Sequence, residues 1–446
     1  MGKGGQRLVV NGTKNAAALV SSQNSSVSKV SAASSSGGGG VWKSPYDPRT
    51  STVELPKIGD IKAAIPKHCF ERSYVKSIYY TLRDTAWAVS CVYATSQVLS
   101  TNMPSLQQLP DLAVWILGWN VYAFAMGTIM FGPWILGHEC GHGAFSPNQT
   151  FNDIFGFVLH QIVLVPYFAW QYSHAKHHRR VNHLVDGESH VPSGRNDVGL
   201  NETNERFSYL AIIHEAFGDS GFAAFRLGFY LIAGYPIYLM GWGSTGKLAH
   251  DGTELGNHIA DHYRPGSKMF TSKVYWKILL STLTQVGIVG GLLYVGQFHT
   301  GHLPVFLWFW APYLWVNAWL VIYTWLHHTD ASVPHYGTEE WTWLKGALAT
   351  IDRPYGIFDY FHHRIGSTHV VHHLFHELPW YHAYEATAAV KAYLEPMGLY
   401  NYDPTPFPIA MWRLAHDCHY VESREGIQYY KSLVDIPKSS DKKKAK

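Results

Sequence analysis

Apolar stretches close to the roughly 20 residues needed to cross the hydrocarbon core of a bilayer constrain this chain more than any other feature. Three reach that length clearly, residues 112–136, 278–298 and 303–326. A fourth, residues 85–103, is diluted by Ser and Thr but carries no charged residue. Backbone in lipid must satisfy its own hydrogen bonds, so all four are predicted as α-helices. Two further stretches, residues 154–170 and 227–242, are short and contain Pro166 and Pro236. Both are expected to lie in the interface or on the body without crossing. The expected fold class is therefore an all-α integral membrane protein with four transmembrane helices, interfacial helices and a cytosolic helical domain.

Charge supports this division. Asp, Glu, Lys and Arg make up 15% of the chain, against roughly 25% in soluble domains. The net charge of +3 is local, in Lys176, Arg179 and Arg180 and in the tail residues Lys442, Lys443, Lys444 and Lys446, so no nucleic-acid surface is implied. Residues 21–40 are a Ser/Gly run that cannot bury enough apolar area to offset its ordering entropy. Residues 1–55 are accordingly read as a disordered arm, 56–431 as the membrane body and 432–446 as a basic tail. The arm lacks the apolar centre of a signal peptide. Cys69, Cys91, Cys140 and Cys418 follow no metal-ribbon or redox-pair spacing and are read as reduced thiols.

Histidine is the anomaly: the chain has 27, beside 32 Asp and Glu together. Three clusters stand out, His138-Glu139-Cys140-Gly141-His142, His174-Ala175-Lys176-His177-His178 and His369-Val370-Val371-His372-His373. Helical spacings of three and four put each set on one face. Together they offer eight neutral nitrogens, too many for one tetrahedral zinc and suited to two ions of intermediate softness with positions left for oxygen. Iron is the natural candidate. A ninth ligand could be His328, at the end of the 303–326 span, with His363 as its rival. Isolated His160, His183, His190, His376 and His382 are read as hydrogen-bonded groups, and the aromatic run 308–315 as lipid-facing or core packing.

If the clusters share one site they lie on one side of the membrane, which requires an even number of crossings between the second and the third. A hairpin of 278–298 and 303–326 meets that condition provided that 227–242 does not cross. Loops 104–111 and 299–302 contain no Lys or Arg, whereas Arg83, Lys176, Arg179, Arg180, Lys277 and Lys345 fall on the opposite side, which the positive-inside rule makes cytosolic. Both termini are then cytosolic. Two competing readings follow from the same residues. The first cluster fits the H-E-x-x-H pattern of zinc proteases, with Glu139 as general base, but this leaves the other two clusters without a role. A histidine-rich metal transporter calls for ionisable groups within the spans, and the clusters lie at span ends.

These three clusters, in this order and separated by paired hydrophobic stretches, resemble the histidine boxes of membrane fatty acid desaturases. The likeness runs from about residue 56 to 431. The segments around Pro66-Lys67-His68-Cys69-Phe70, Leu164-Val165-Pro166-Tyr167, Asp352-Arg353 and Tyr381-His382-Ala383 are similar to the delta-12 and omega-3 branch. The resemblance implies a di-iron oxidoreductase in unsaturated fatty acid biosynthesis, using molecular oxygen to place a cis double bond in a long acyl chain carried on a lipid or on CoA. It also implies that His138, His142, His174, His177, His178, His369, His372 and His373 are iron ligands. With His369 opening the third box and no fused heme motif, electrons are expected from a separate cytochrome b5 and NADH. Lys176, Arg179 and Arg180 are candidates for docking it. Glu139 resembles the delta-12 enzymes, which convert oleoyl to linoleoyl, and Lys443-Lys444-Ala445-Lys446 resembles an endoplasmic-reticulum retrieval signal. Stearoyl-type relatives have an Asn four residues before the ninth His; this chain has Thr324 there, with Asn317 further away. Hydroxylases and epoxygenases share the same boxes.

Overall fold

The computed structural model describes residues 41–201, 209–242, 246–256 and 259–433. Contacts gather the described residues from 43 onward into one unit. Most of the expected arm, residues 1–40, and the basic tail from residue 434 lie outside the described residues. Residues 44–49 make specific bonds: Ser44 Oγ reaches Asn401 Oδ1 at 2.8 Å, and the Tyr429 hydroxyl donates to Asp47 Oδ1 at 2.7 Å.

The unit is helical. In chain order its principal helices are α1 (Ile58–Ala64), α2 (Tyr74–Val98), α3 (Leu109–Gly141), α4 (Gln149–Ile162), α5 (Tyr167–Arg179), α6 (Tyr209–Leu239), α7 (Tyr275–Val295), α8 (Ala311–His328), α9 (Trp343–Leu348), α10 (His369–Leu374), α11 (Trp380–Leu394) and α12 (Phe407–Asp417). One two-residue ribbon, β1 (His335–Tyr336) against β2 (Ile427–Gln428), is antiparallel. Helix starts follow local chemistry: Asn148 accepts from Phe151 N at 2.9 Å at the head of α4, and Ser73 accepts from Lys76 N at the head of α2.

Among the described residues, four helical stretches are long and apolar enough to cross a membrane: Leu109–Gly141, Ile212–Leu239, Ser272–Thr300 and His302–His328. Three coincide with the strong stretches of the sequence. The other two expectations shift. α2 is 25 residues long, yet the polar side chains of the 85–103 stretch keep it out of this set. Residues 227–242 are not a short piece: they finish the 31-residue α6, whose apolar run begins well upstream and which is broken at Gly218, where φ is 68°. Pro236, close to the end of α6, is carried inside it. α4 and α5 meet at 107°.

Apolar side chains point outward on α2, α3 and α7, for example Val75, Leu82, Tyr93, Val114, Leu117, Leu283 and Val286, all exposed. So much exposed apolar surface is what lipid-facing helices present and soluble monomers avoid. Inside, α3 and α8 approach so closely at Gly127 that an added Cβ would lie 2.3 Å from Trp315 Cβ. Phe131, Trp134, Trp319, Tyr323 and Leu326 fill the seam, with Met411 and Leu414 of α12 against it. A second core gathers Val370, Val371 and Leu374 of α10 with Leu348, Ala386, Val390 and Leu394. The end of α3, all of α5, the end of α8 and α10 thereby meet in one place.

Candidate metal centre

His138 lies in the last turn of α3 and His142 caps its C-terminus, with their Nε2 atoms 3.2 Å apart. On α5, His174 and His178 stand in the same relation, again at 3.2 Å. Together with His372 of α10, one ring nitrogen from each of these five residues lies within 4.8 Å of all the others. A second group brings His177, His328 and His373 within 4.8 Å of one another. His328 Nε2 is 3.2 Å from His177 Nε2 and 3.0 Å from His369 Nε2. All eight cluster histidines and His328 therefore meet in two adjacent nitrogen-lined groups. His363 does not join them: its Nε2 faces Asp84 Oδ2 at 2.7 Å.

Neighbouring groups fix several of these rings. His138 Nδ1 donates to Glu139 Oε1 at 3.0 Å, and His177 Nδ1 donates to the Glu188 carbonyl at 2.8 Å. Each bond holds the proton on Nδ1 and turns the Nε2 lone pair inward. α10, six residues long, is too short to be stable alone; Asp352 Oδ1 accepts from Val370 N at 2.8 Å and ties its first turn down. Burial, with added repulsion from neighbouring imidazoles, holds His369, His372 and His373 well below the usual histidine range, so they are neutral donors.

The unpaired nitrogens fit bound metal. Nε2 of His372 and both ring nitrogens of His373 are buried with no hydrogen-bond partner. An unmet buried polar atom costs roughly 1–3 kcal/mol, and an ion taking one nitrogen from each of these rings would relieve part of that cost. Nitrogen donors alone, too many for one ion, suit two metals of iron's type.

The other singled-out residues sort out locally. His160 Nε2 bonds the Trp134 carbonyl at 3.0 Å, and His183 Nδ1 accepts from the amides of Val185 and Asp186 at 3.1 Å. His190 stacks beside His328, and His376 lies against His142 and His178. Thr324 bonds the Leu320 carbonyl of its own helix at 2.8 Å. Asn317 is eleven positions before His328, about 16 Å along a helix, so neither supplies the missing Asn. Lys176 is turned inward, to the Leu248 carbonyl at 3.1 Å and Asp186 at 3.4 Å, and Arg180 pairs with Asp186 at 2.8 Å. Only Arg179 of that basic trio has neither partner, and it is exposed. Sequence reasoning missed Glu188, Asp84 and Asp352, which act on histidines from distant positions and share no spacing with them.

Comparison with known proteins agrees with this architecture. The fatty acid desaturase family model matches residues 113–405. A delta(12) fatty acid desaturase of Mortierella isabellina is 34% identical over 390 residues, covering 85% of this chain and 92% of the relative. An oleoyl-12-hydroxylase of Ricinus communis is 37% identical over 371 residues, covering 83% and 87%. An endoplasmic-reticulum omega-6 fatty acid desaturase of Brassica juncea is 35% identical over 382 residues, covering 84% and 92%. The chain belongs to the fatty acid desaturase family and is an oxidoreductase.

Proposed function

We propose that this chain is an oxygen-dependent delta-12 desaturase that converts oleoyl to linoleoyl chains, with one iron held by His138, His142, His174, His178 and His372 and a second by His177, His328, His369 and His373. The observation that carries this is the meeting of nine imidazoles in two adjacent groups at one end of the apolar helices. Iron, when bound, supplies the oxygen chemistry needed to oxidise an unactivated C–H bond, which no acid or base side chain can do. In balance, one –CH2–CH2– unit, O2, two electrons and two protons give –CH=CH– and two waters. The protein's own part is to hold the imidazoles neutral and aimed, through the Glu139 carboxylate, the Glu188 carbonyl and the Asp352 cap.

Glu139 argues against a protease. It is buried and bonded to His138, where it orients a ligand instead of facing a metal-bound water. The regiochemistry rests on relatives such as the Mortierella enzyme. Because an oleoyl-12-hydroxylase is as similar, hydroxylation is the second reading, and the product distinguishes them.

Electrons come from a separate cytochrome b5 and NADH, with exposed Arg179 the member of the basic trio not engaged by Asp186. The proposed location is the endoplasmic-reticulum membrane, with both termini cytosolic. This topology requires that α6, although long and apolar enough to cross, lie along the histidine-bearing side so that the number of crossings stays even, and its contacts support that reading. Just after the break at Gly218, Phe222 packs with Val198, Leu200 and Tyr420; near the C-terminal end the Tyr238 hydroxyl reaches Glu188 at 3.2 Å. These points are sixteen residues apart, about 24 Å of helix, and both touch loops on that side. One turn beyond Phe222, Arg226 donates to the Ala415 and Cys418 carbonyls at the end of α12, at 2.7 and 3.0 Å.

The test is expression of His174→Ala and of His372→Ala beside the wild type. Each is expected to insert into the membrane normally, to lose bound iron and to form no product. Desaturation retained in either variant would remove the basis for these ligands.

A further inference from the structure

A separate group of side chains of metal-ligating type lies outside the histidine boxes. A short turn, Lys67–Phe70, carries His68 and Cys69, and α11 carries His382 and Glu385 three positions apart on one face. One ligand atom from each of the four lies within 4.8 Å of all the others. His68 Nε2 is 3.0 Å from Glu385 Oε2 and 3.8 Å from Cys69 Sγ. Donors around a tetrahedral zinc, with bonds of about 2.0–2.3 Å, are separated by roughly 3.3–3.8 Å, so the group needs little movement to close on an ion.

We propose that His68, Cys69, His382 and Glu385 form a structural zinc site, distinct from the iron centre. A thiolate and a carboxylate balance the charge of a divalent ion, and a mixed sulfur, nitrogen and oxygen set suits zinc, whereas the box residues offer nitrogen alone. Four protein ligands leave no open position, which marks a structural site rather than a catalytic one. The ion stitches the turn before α2 to α11, the helix that directly follows the third histidine cluster. A bond between Ser73 N and the Tyr381 hydroxyl, 2.6 Å long, already runs along the same seam. Without an ion, burial keeps the Cys69 thiol protonated, with its pKa pushed up to about 11. What remains is then a surface pair between His68 and Glu385, half exposed on both sides and worth little.

One neighbour opposes binding. Lys76 Nζ lies 3.2 Å from His382 Nε2, and an ion must displace this exposed ammonium. That gives a test which leaves every ligand intact. The full-length protein, purified in detergent without chelator, is assayed for metals by mass spectrometry and then titrated with zinc chloride. One zinc per chain is expected in addition to iron. Cys69→Ser and His382→Ala should each lose that zinc and keep the iron, and Lys76→Ala should bind zinc about threefold more tightly, as removal of an exposed like charge allows. Cobalt exchanged into the site should show a thiolate-to-metal absorption that Cys69→Ser abolishes, which the nitrogen-only iron centre cannot produce. A wild-type protein that takes up no zinc beyond the amount bound by Cys69→Ser, or a Lys76→Ala variant whose zinc affinity is unchanged, overturns the proposal.

Discussion

Asp352 offers a quantitative test of how the third histidine cluster is held. Its carboxylate is fully buried and accepts from Val370 N at 2.8 Å and from the Tyr400 hydroxyl, both themselves buried. Asp352→Ala leaves two buried donors without acceptors, at roughly 1–3 kcal/mol each. Burial partly offsets this, because it already raises the Asp352 carboxyl to about 7 and so makes its charged form costly near neutral pH. The net loss worked from these terms is about 2–4 kcal/mol, a large share of a typical folding free energy. Asp352→Asn keeps an acceptor for Val370 N and can donate to the Tyr400 oxygen, so it should stay within about 1 kcal/mol of wild type. The assay is thermal unfolding of the detergent-solubilised protein, with iron per chain measured on the same samples. Asp352→Ala should unfold several degrees earlier and lose iron in parallel, while Asp352→Asn keeps both. An alanine variant as stable and iron-loaded as wild type, or an asparagine variant as damaged as alanine, would refute the reasoning.

Four further outcomes are expected. His328→Ala should lose close to one iron per chain, whereas His363→Ala, which removes only the partner of Asp84, should keep both; metal analysis of the pair decides the ninth ligand. Glu139→Gln preserves an acceptor for His138 Nδ1 and should retain more than a tenth of the activity, where a general base would lose nearly all of it. Acid should destabilise the fold: burial holds His190, His335 and His362 near 3, 4 and 3. Unfolding lets them take up protons below about 6.5, so stability present above that pH is lost as pH falls. Asp352 and Glu188, both raised to about 7 by burial, work in the opposite sense between about 4 and 7 but are outnumbered, so thermal stability should be lower at pH 5.5 than at pH 7. Finally, a Gly252→Cys label site, beyond α6, should react with an impermeant reagent only from the cytosolic side of sealed microsomes; labelling from the lumen would mean that α6 crosses.

The grouping of the histidines was legible in the sequence because their spacing is local: intervals of three and four place them on one helix face wherever the helix goes. The strong spans were legible for a similar reason, since a long uncharged apolar run has few alternatives. α6 and α2 were harder. Whether a helix crosses depends on what its ends pack against, and the partners of Arg226 and Tyr238 lie at positions 415, 418 and 188, outside any local pattern. The contact that sets His363 apart from His328 is with Asp84, 279 positions from its partner, which no local pattern reveals. His382 was set aside as an isolated histidine because Cys69 and His68, more than three hundred positions away, share no motif with it.

The most direct test of the central claim is the fatty acid profile of a yeast that lacks polyunsaturated fatty acids, after expression of this chain, with double bonds located by gas chromatography and mass spectrometry. A new linoleoyl species, absent when His174→Ala or His372→Ala is expressed instead, is the result predicted here. A hydroxylated oleoyl product would keep the iron centre and change the reaction assigned to it. Well-expressed, iron-loaded protein that yields no new acyl species would contradict the assignment.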